Sequence, residues 1–337
     1  MNNTNFTIFT QTSTRIIADG AIGNSMMSLM AILGLCMSTT QLATIFLWKP
    51  LREMQQILVI NAAAADALKS ISYIVPGLKR LWLAAMGMDE VINQLDCMFW
   101  IFPLTFTTLY GLSSVLTLSL ERLAVIATPV WYWKHKCRFS WVLASTSFAV
   151  SSLSGFGLFF GVSKARLMLS CNLMASTTIE YYEFVIYFQD VTTGGIVLIN
   201  SITGIMLLRR WRGAVKAKMD MKEFKKEVQL NAVKAVFCVV ALCLLSFFAG
   251  MVFMAVIQDF DLIKKAFYGP FWGCLQMMRG VFDFGLWLIF SREYRAGFVA
   301  VFIKRTLWNA NHQVAPVRVA QRPNSGRRGS VNLSHFN

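Results

Sequence analysis

The sequence predicts an all-α membrane protein, a seven-transmembrane helix bundle with a short amphipathic eighth helix at the inner membrane surface. Of the 337 residues, 56% are apolar and only 15% are charged, whereas about 25% of the residues in a soluble domain are charged. The apolar residues also form long blocks, with the charges clustered between them. A disordered chain and a soluble enzyme both fit this pattern poorly.

Seven blocks are long enough to cross a bilayer core of about 30 Å, which requires about 20 helical residues. Blocks this long and continuous indicate helices, because barrel strands would show alternation over about ten residues. The predicted spans are Ile22 to Leu47, Gln55 to Ala84, Cys97 to Val125, Phe139 to Val162, Tyr182 to Leu208, Val228 to Ile257 and Ala266 to Phe290.

The spans and the charges predict three regions. Residues 1–20 form an N-terminal segment, residues 21–303 form the membrane domain, and residues 304–337 form a disordered tail that is rich in Pro and Gly. With the N-terminus outside, 23 of the 32 Lys and Arg residues fall on the cytoplasmic side. This bias predicts a multi-pass plasma-membrane protein with an extracellular N-terminus and a cytoplasmic C-terminus.

The formal net charge of +15 is therefore mainly an orientation signal. It also favours attraction to anionic membrane lipid and to an acidic partner, and it is poor support for nucleic-acid binding.

Two features of the predicted extracellular side agree with this orientation. Asn2 and Asn5 begin N-glycosylation sequons, although such triplets also arise by chance. Cys97 and Cys171 both fall on the oxidising side and are able to form a disulfide bond.

The cytoplasmic C-terminal region begins after Phe290. Apolar residues at helical spacing from Phe298 to Ile303, with basic residues opposite, predict the eighth helix along the inner leaflet. Ser330 follows two arginines and a glycine, a pattern that suits phosphorylation by a basophilic kinase. The alternative is a basic run that only solvates the tail.

The third predicted span carries the most specific motif. Cys97 begins it, Glu121 and Arg122 follow 24 and 25 residues later, and Pro129 comes eight residues after the acid. At these intervals the span resembles the third helix of rhodopsin-like G protein-coupled receptors. Leu123 replaces their usual tyrosine.

Two further spans strengthen this resemblance. The segment from Asn61 to Asp66 is similar to the family's second-helix motif, and the segment from Asp283 to Trp287 stands where the family has Asn-Pro-x-x-Tyr. The sixth span lacks the usual tryptophan and proline. Such departures are similar to those of the divergent chemosensory serpentine receptors of nematodes.

The resemblance implies a coupling site for a heterotrimeric G protein at the inner end of the bundle. It assigns Arg122 to a resting contact with Glu121 and with an acid near the sixth helix, for which Glu227 is the nearest candidate, and then to the Gα subunit. Pro129 belongs to the same motif.

Four buried charges form a second candidate site. Asp66 is the mid-membrane acid where the family holds a sodium ion, and Arg279 is inferred to replace that ion, with Lys69 and Asp283 completing a neutral network. The alternative is a network that only fixes helix packing.

A ligand pocket is expected at the outer end of the bundle. An apolar, aromatic cavity with a few polar points suits a small odorant-like molecule or a short peptide, while Leu104 argues against a monoamine. The alternative for the aromatic residues is packing or anchoring at the membrane interface. The candidate pocket residues are Trp100, Leu104, Thr107, Thr108, Tyr187 and Asp190.

The sequence thus predicts a receptor that binds an extracellular ligand and activates a heterotrimeric G protein. One alternative is a secondary transporter that uses the buried charges, and another is a non-signalling decoy receptor of the same fold. An enzyme is not expected, because all three histidines fall in predicted cytoplasmic segments. No cofactor and no metal are predicted.

Overall fold

The computed structural model describes the backbone of residues 3–53, 56–87, 92–160, 167–168, 171 and 177–216. Toward the C-terminus it describes residues 274, 277–278, 281–282, 284–289 and 291–304. Side chains in the first helix are described from residue 22 onward.

Helices dominate the described residues. They are α1 (Asn3–Leu47), α2 (Lys49–Glu53), α3 (Ile57–Ala85), α4 (Gln94–Ala127), α5 (Pro129–Phe156), α6 (Ile179–Lys216) and α7 (Arg292–Phe298). Three shorter helical pieces are a 3₁₀-helix at Gly157–Phe159, a helical segment at 284–289 and a π-helix at Val299–Lys304. Two short strands, β1 (Ile92–Asn93) and β2 (Leu167–Met168), pair antiparallel.

Five helical stretches are long and apolar enough to cross a membrane. They are Ile22–Leu47, Ile57–Ala85, Gln94–Ala127, Pro129–Phe159 and Ile179–Arg210. They confirm the first five predicted spans as helices and support a membrane protein. The sixth span and most of the seventh lie outside the described residues, so the count of seven stays a prediction.

The helix starts follow from local sequence. Asn93 caps α4, because its side chain accepts a hydrogen bond of 2.9 Å from the backbone N–H of Asp96. Pro129 occupies the first position of α5, where its missing N–H has no intrahelical partner to lose. Ser291 caps α7 by accepting a bond of 3.1 Å from the N–H of Tyr294.

Within the described bundle, α4 packs against α3, α5 and α6, and α1 packs against α3. A small residue permits a close approach of α1 and α3. A Cβ atom on Gly77 of α3 would lie 2.3 Å from the Ser28 hydroxyl of α1. The pair therefore resembles the small-residue contacts by which membrane helices associate.

One end of the bundle is held by bonds that join loops to helices, and we call it the disulfide end. Cys97 at the start of α4 is bonded to Cys171, with their Cα atoms 5.4 Å apart. β1 and β2 pair beside this bond, and the Arg80 guanidinium of α3 donates to the Cys171 carbonyl. The predicted ability of Cys97 and Cys171 to bridge is confirmed.

At the opposite end of α4, which we call the Glu121 end, apolar side chains gather from both ends of the sequence. A buried cluster comprises Ile45, Leu51, Val59, Phe284 and Tyr294. The helix α7 docks here through Gly297, because a Cβ atom at that position would lie 2.9 Å from the Trp48 ring. A short helix thus stands where the eighth helix is predicted, while its placement at the membrane surface stays a prediction.

Candidate functional site

The Glu121 carboxylate is fixed by two hydroxyl groups of α5. One of its oxygens, Oε1, accepts hydrogen bonds of 2.8 Å from the Tyr132 hydroxyl and of 2.8 Å from the Ser140 hydroxyl. Hydrogen bonds to a charged acceptor are about twice as strong as neutral ones. Because Tyr132 and Ser140 are two helical turns apart, the carboxylate fixes both the position and the rotation of the first turns of α5.

The Arg122 guanidinium lies beside the helical segment at 284–289. Its central carbon is 5.7 Å from the centre of the Trp287 ring. A guanidinium within about 6 Å of an aromatic ring centre forms a cation–π contact. Arg122 therefore joins the end of α4 to the helical segment at 284–289.

Trp287 also belongs to the aromatic packing of α7. Its ring centre is 6.3 Å from that of Tyr294, and Tyr294 meets Phe284 edge-on at 6.2 Å. Tyr294 is only 1% exposed, and burial raises its pKa to about 12. Its ring is therefore neutral throughout the physiological pH range, and the contact acts as apolar packing.

Hydrogen bonds between polar side chains join α4 to three neighbouring helices along its length. The Asn61 amide of α3 donates to the Ser114 hydroxyl at 2.9 Å and accepts from the Tyr110 hydroxyl. The Asn200 amide of α6 donates to Ser119 at 2.9 Å. Ser151 of α5 donates to Ser113 at 3.2 Å. These bonds hold α4 at the centre of the described helices.

The predicted buried charge network is described only in part. Asp66 and Lys69 are both buried in α3, with exposed fractions of 9% and 7%. Arg279 and Asp283 lie outside the described residues. The burial of the first two agrees with the sequence interpretation, and the four-residue network stays a prediction.

Three residues of the predicted ligand pocket are enclosed by neighbouring side chains. Leu104 packs against a buried cluster that includes Tyr73 and Met277. Thr108 is buried, with an exposed fraction of 9%, and Thr107 donates to the Pro103 carbonyl at 2.7 Å. These three side chains therefore contribute to packing and hydrogen bonding within the described residues.

The other predicted pocket residues lie nearer the surface. Trp100 is exposed, with the Lys79 ammonium 4.5 Å from its ring centre. Asp190 is half-buried, and Tyr187 is 69% exposed. The described side chains therefore do not place Tyr187 in one cavity with Leu104 and Thr108.

The remaining predicted sites are described only as backbone or not at all. Asn5 lies on the helical backbone of α1, and its side chain is not described. Asn2, Glu227 and Ser330 lie outside the described residues. Within the part of the chain that the structure describes, no cluster of three potential metal ligands is found.

The sequence interpretation did not identify Tyr132 and Ser140 as partners of Glu121. A signal for them was present in α5, where small or polar residues recur at helical spacing and form its buried face. These residues are Ser140, Ala144, Ser147, Ser151 and Gly155. The aromatic contact of Arg122 had no comparable signal, because Trp287 is distant in sequence.

No protein-family model matches the chain, and no curated protein shows significant similarity to it.

Proposed function

We propose that the chain is a rhodopsin-like G protein-coupled receptor, of the divergent kind found among chemosensory serpentine receptors. In this proposal it binds an extracellular ligand, a small odorant-like molecule or a short peptide, and activates a heterotrimeric G protein. The Glu121 end is its cytoplasmic coupling surface.

The arrangement of Glu121 and Arg122 is the observation that carries this proposal. Although the two residues are adjacent, the carboxylate is bound by Tyr132 and Ser140 of α5, while the guanidinium lies over Trp287. The acid therefore stabilises the fold at this position. The arginine has an aromatic contact worth about 0.5–2 kcal/mol, a contribution that contact with a binding partner can replace.

Activation then follows as a shift between two populated conformations. In one conformation Arg122 lies over Trp287, and in the other it faces the Gα subunit. A ligand at the disulfide end favours the second conformation only as far as it binds that conformation more tightly. The hydrogen bonds from residues 110–119 of α4 to Asn61, Ser151 and Asn200 would carry a movement of α4 to its three neighbouring helices.

Receptor-dependent nucleotide exchange tests the proposal. The full chain is reconstituted in nanodiscs with one Gα class at a time plus Gβγ, and exchange is followed with a fluorescent GTP analogue. We expect wild-type nanodiscs to accelerate exchange on at least one Gα class above empty nanodiscs, and Arg122→Ala to abolish that acceleration. Lys79→Ala, which removes a cation at the disulfide end, is the matched control. Exchange on every Gα class at the empty-nanodisc rate would reject the proposal.

A transporter remains a second candidate because Asp66 and Lys69 are ionisable and buried in a membrane-length helix. In that case proteoliposomes that contain the chain would acidify under a proton gradient, and Asp66→Asn would abolish the flux. A decoy receptor would show neither the flux nor the exchange.

A further inference from the structure

The helix α5 has a continuous buried face that fixes its rotation. Its buried residues, Tyr132, Ser140, Ala144, Ser147, Ser151 and Gly155, recur at intervals of three, four or eight. Tyr132 and Ser140 are bonded to Glu121, and Ser151 is bonded to Ser113. The exposed residues beside this face are therefore held in a fixed orientation.

Next to the buried face lies a stripe of exposed residues, which we call the α5 stripe. Its members are Trp131, Lys134, Arg138, Trp141, Ser145 and Phe148. Its last member, Phe148, also meets the Phe106 and Tyr110 rings of α4 edge-on at 5.7 Å. Steps of three and four residues place them along one side of the helix. The stripe is uncharged from Trp141 to Phe148, with the small Ser145 between the two aromatic rings, whereas two cations lie between Trp131 and Trp141.

The uncharged part of the α5 stripe lies in a helix long enough to cross the membrane. Trp141 is 58% exposed and Phe148 is 52% exposed, which is unfavourable in water but suits contact with acyl chains. At a rise of 1.5 Å per residue, Arg138 and Lys134 lie about 5 and 10 Å further along the helix axis than Trp141. Each headgroup layer of a bilayer is about 5–8 Å thick. With Trp141 at the edge of the hydrocarbon, Arg138 would fall within this layer and Lys134 just beyond it, from where its long side chain can reach the same phosphates.

The hydrogen bonds described for Glu121 come from the buried face of α5 and not from the cations of the α5 stripe. That carboxylate accepts its hydrogen bonds from Tyr132 and Ser140 on the buried face. Lys134 and Arg138 are exposed, one helical turn apart. A guanidinium binds two phosphate oxygens at once, and an ammonium adds a point charge. Indole rings prefer the membrane interface, where one edge is polar and the ring is apolar.

We propose that the α5 stripe is a binding site for an anionic membrane phospholipid, whose phosphate is held by Lys134 and Arg138 between Trp131 and Trp141. The lipid is favoured over an acidic protein because the cations continue a surface whose exposed aromatic rings suit acyl chains. The Glu121 end is the side that the charge bias predicts to be cytoplasmic, where anionic lipids are concentrated. This site is independent of any coupling to a G protein.

Native mass spectrometry of the full chain tests the site. Wild-type protein is released from nanodiscs that contain equal amounts of phosphatidylserine and phosphatidylcholine, and the bound lipids are compared by mass. Each cation near an anionic surface changes the lipid affinity by about fivefold. We expect wild-type protein to retain phosphatidylserine at least about fivefold over phosphatidylcholine. Lys134→Gln with Arg138→Gln should remove the preference.

Two further variants make the result specific. Arg209→Gln with Arg212→Gln removes the same charge from exposed positions of α6. Because this variant keeps the cations that lie between Trp131 and Trp141, it should lower the preference less than the α5 double variant does. Arg138→Lys retains the charge and should keep most of the preference, which separates loss of the cation from misfolding. Absence of a wild-type preference, or an equal loss in the α6 variant, would overturn the proposal. The proposal would also be overturned if Lys134→Gln with Arg138→Gln kept its lipid preference and lost only nucleotide exchange. The two cations would then bind a protein and not a lipid.

Discussion

The two ends of α4 are held by different kinds of interaction. At the disulfide end, a covalent bond, a two-strand pairing and a bond from Arg80 to a backbone carbonyl join the loops to α3 and α4. At the Glu121 end, the contacts are between side chains, and each can be broken without breaking the backbone structure. One end is therefore held covalently, whereas the other is held by side-chain contacts that can exchange partners without breaking a covalent bond.

The largest expected effect comes from removing the covalent bond. Cys97→Ser should destabilise the protein by about 2–5 kcal/mol, the usual loss for a native disulfide. Thermal unfolding in detergent measures this loss. Cys137→Ser is the matched control, because Cys137 is a free, exposed cysteine. Equal melting temperatures for the two variants would show that the bond does not hold this end.

The next effect is at the Glu121 carboxylate. Glu121→Gln keeps the shape but removes the charge, and it should cost about 1–3 kcal/mol because two hydroxyl groups then bond to a weaker acceptor. The same unfolding assay, repeated with Tyr132→Phe and with both changes together, gives a double-mutant cycle. Additive effects in that cycle would contradict a direct bond between Glu121 and Tyr132.

A smaller effect is expected at the aromatic partner of Arg122. Trp287→Leu removes the cation–π contact, worth about 0.5–2 kcal/mol, whereas Trp287→Phe retains a ring. We therefore expect faster ligand-free nucleotide exchange in the leucine variant than in the phenylalanine variant, with wild type slowest. An exchange rate that is identical in all three proteins would show that the contact does not restrain Arg122.

The smallest effect at neutral pH is expected for Tyr294→Phe, which keeps the buried ring. The pKa of Tyr294 is raised from 10.0 to about 12, so only the unfolded state loses this proton as the pH rises from about 10 to about 12. The folded state then binds more protons than the unfolded state, and stability falls with pH. The phenylalanine variant should lack this part of the alkaline loss, which unfolding curves at pH 8 and pH 11 measure. The same loss in both proteins would contradict the burial of Tyr294.

The membrane helices and the disulfide could be predicted from sequence because both depend on simple constraints. Hydrocarbon requires long apolar helices, and the oxidising side favours pairing of Cys97 with Cys171. The limits of the helices were less predictable. The fifth span was predicted from Tyr182 to Leu208, whereas α6 runs Ile179–Lys216, because backbone hydrogen bonds continue past the apolar residues.

The contacts of the candidate site could not be predicted from the same signals. Hydropathy places Glu121 and Arg122 at the end of a span, but it does not fix how neighbouring helices are rotated. That rotation decides that Glu121 meets Tyr132 and Ser140 and that Arg122 meets Trp287. It also determines that Leu104 is packed inside while Tyr187 is exposed.

Binding of a Gα C-terminal peptide to the full chain in nanodiscs tests the coupling role of Arg122 most directly. Fluorescence anisotropy would compare peptides from each Gα class on wild type, Arg122→Ala and Lys79→Ala. Wild type should bind at least one peptide, Arg122→Ala should weaken this binding at least about tenfold, and Lys79→Ala should leave it unchanged. Undiminished binding by Arg122→Ala, or no binding of any peptide to wild type, would contradict this coupling role.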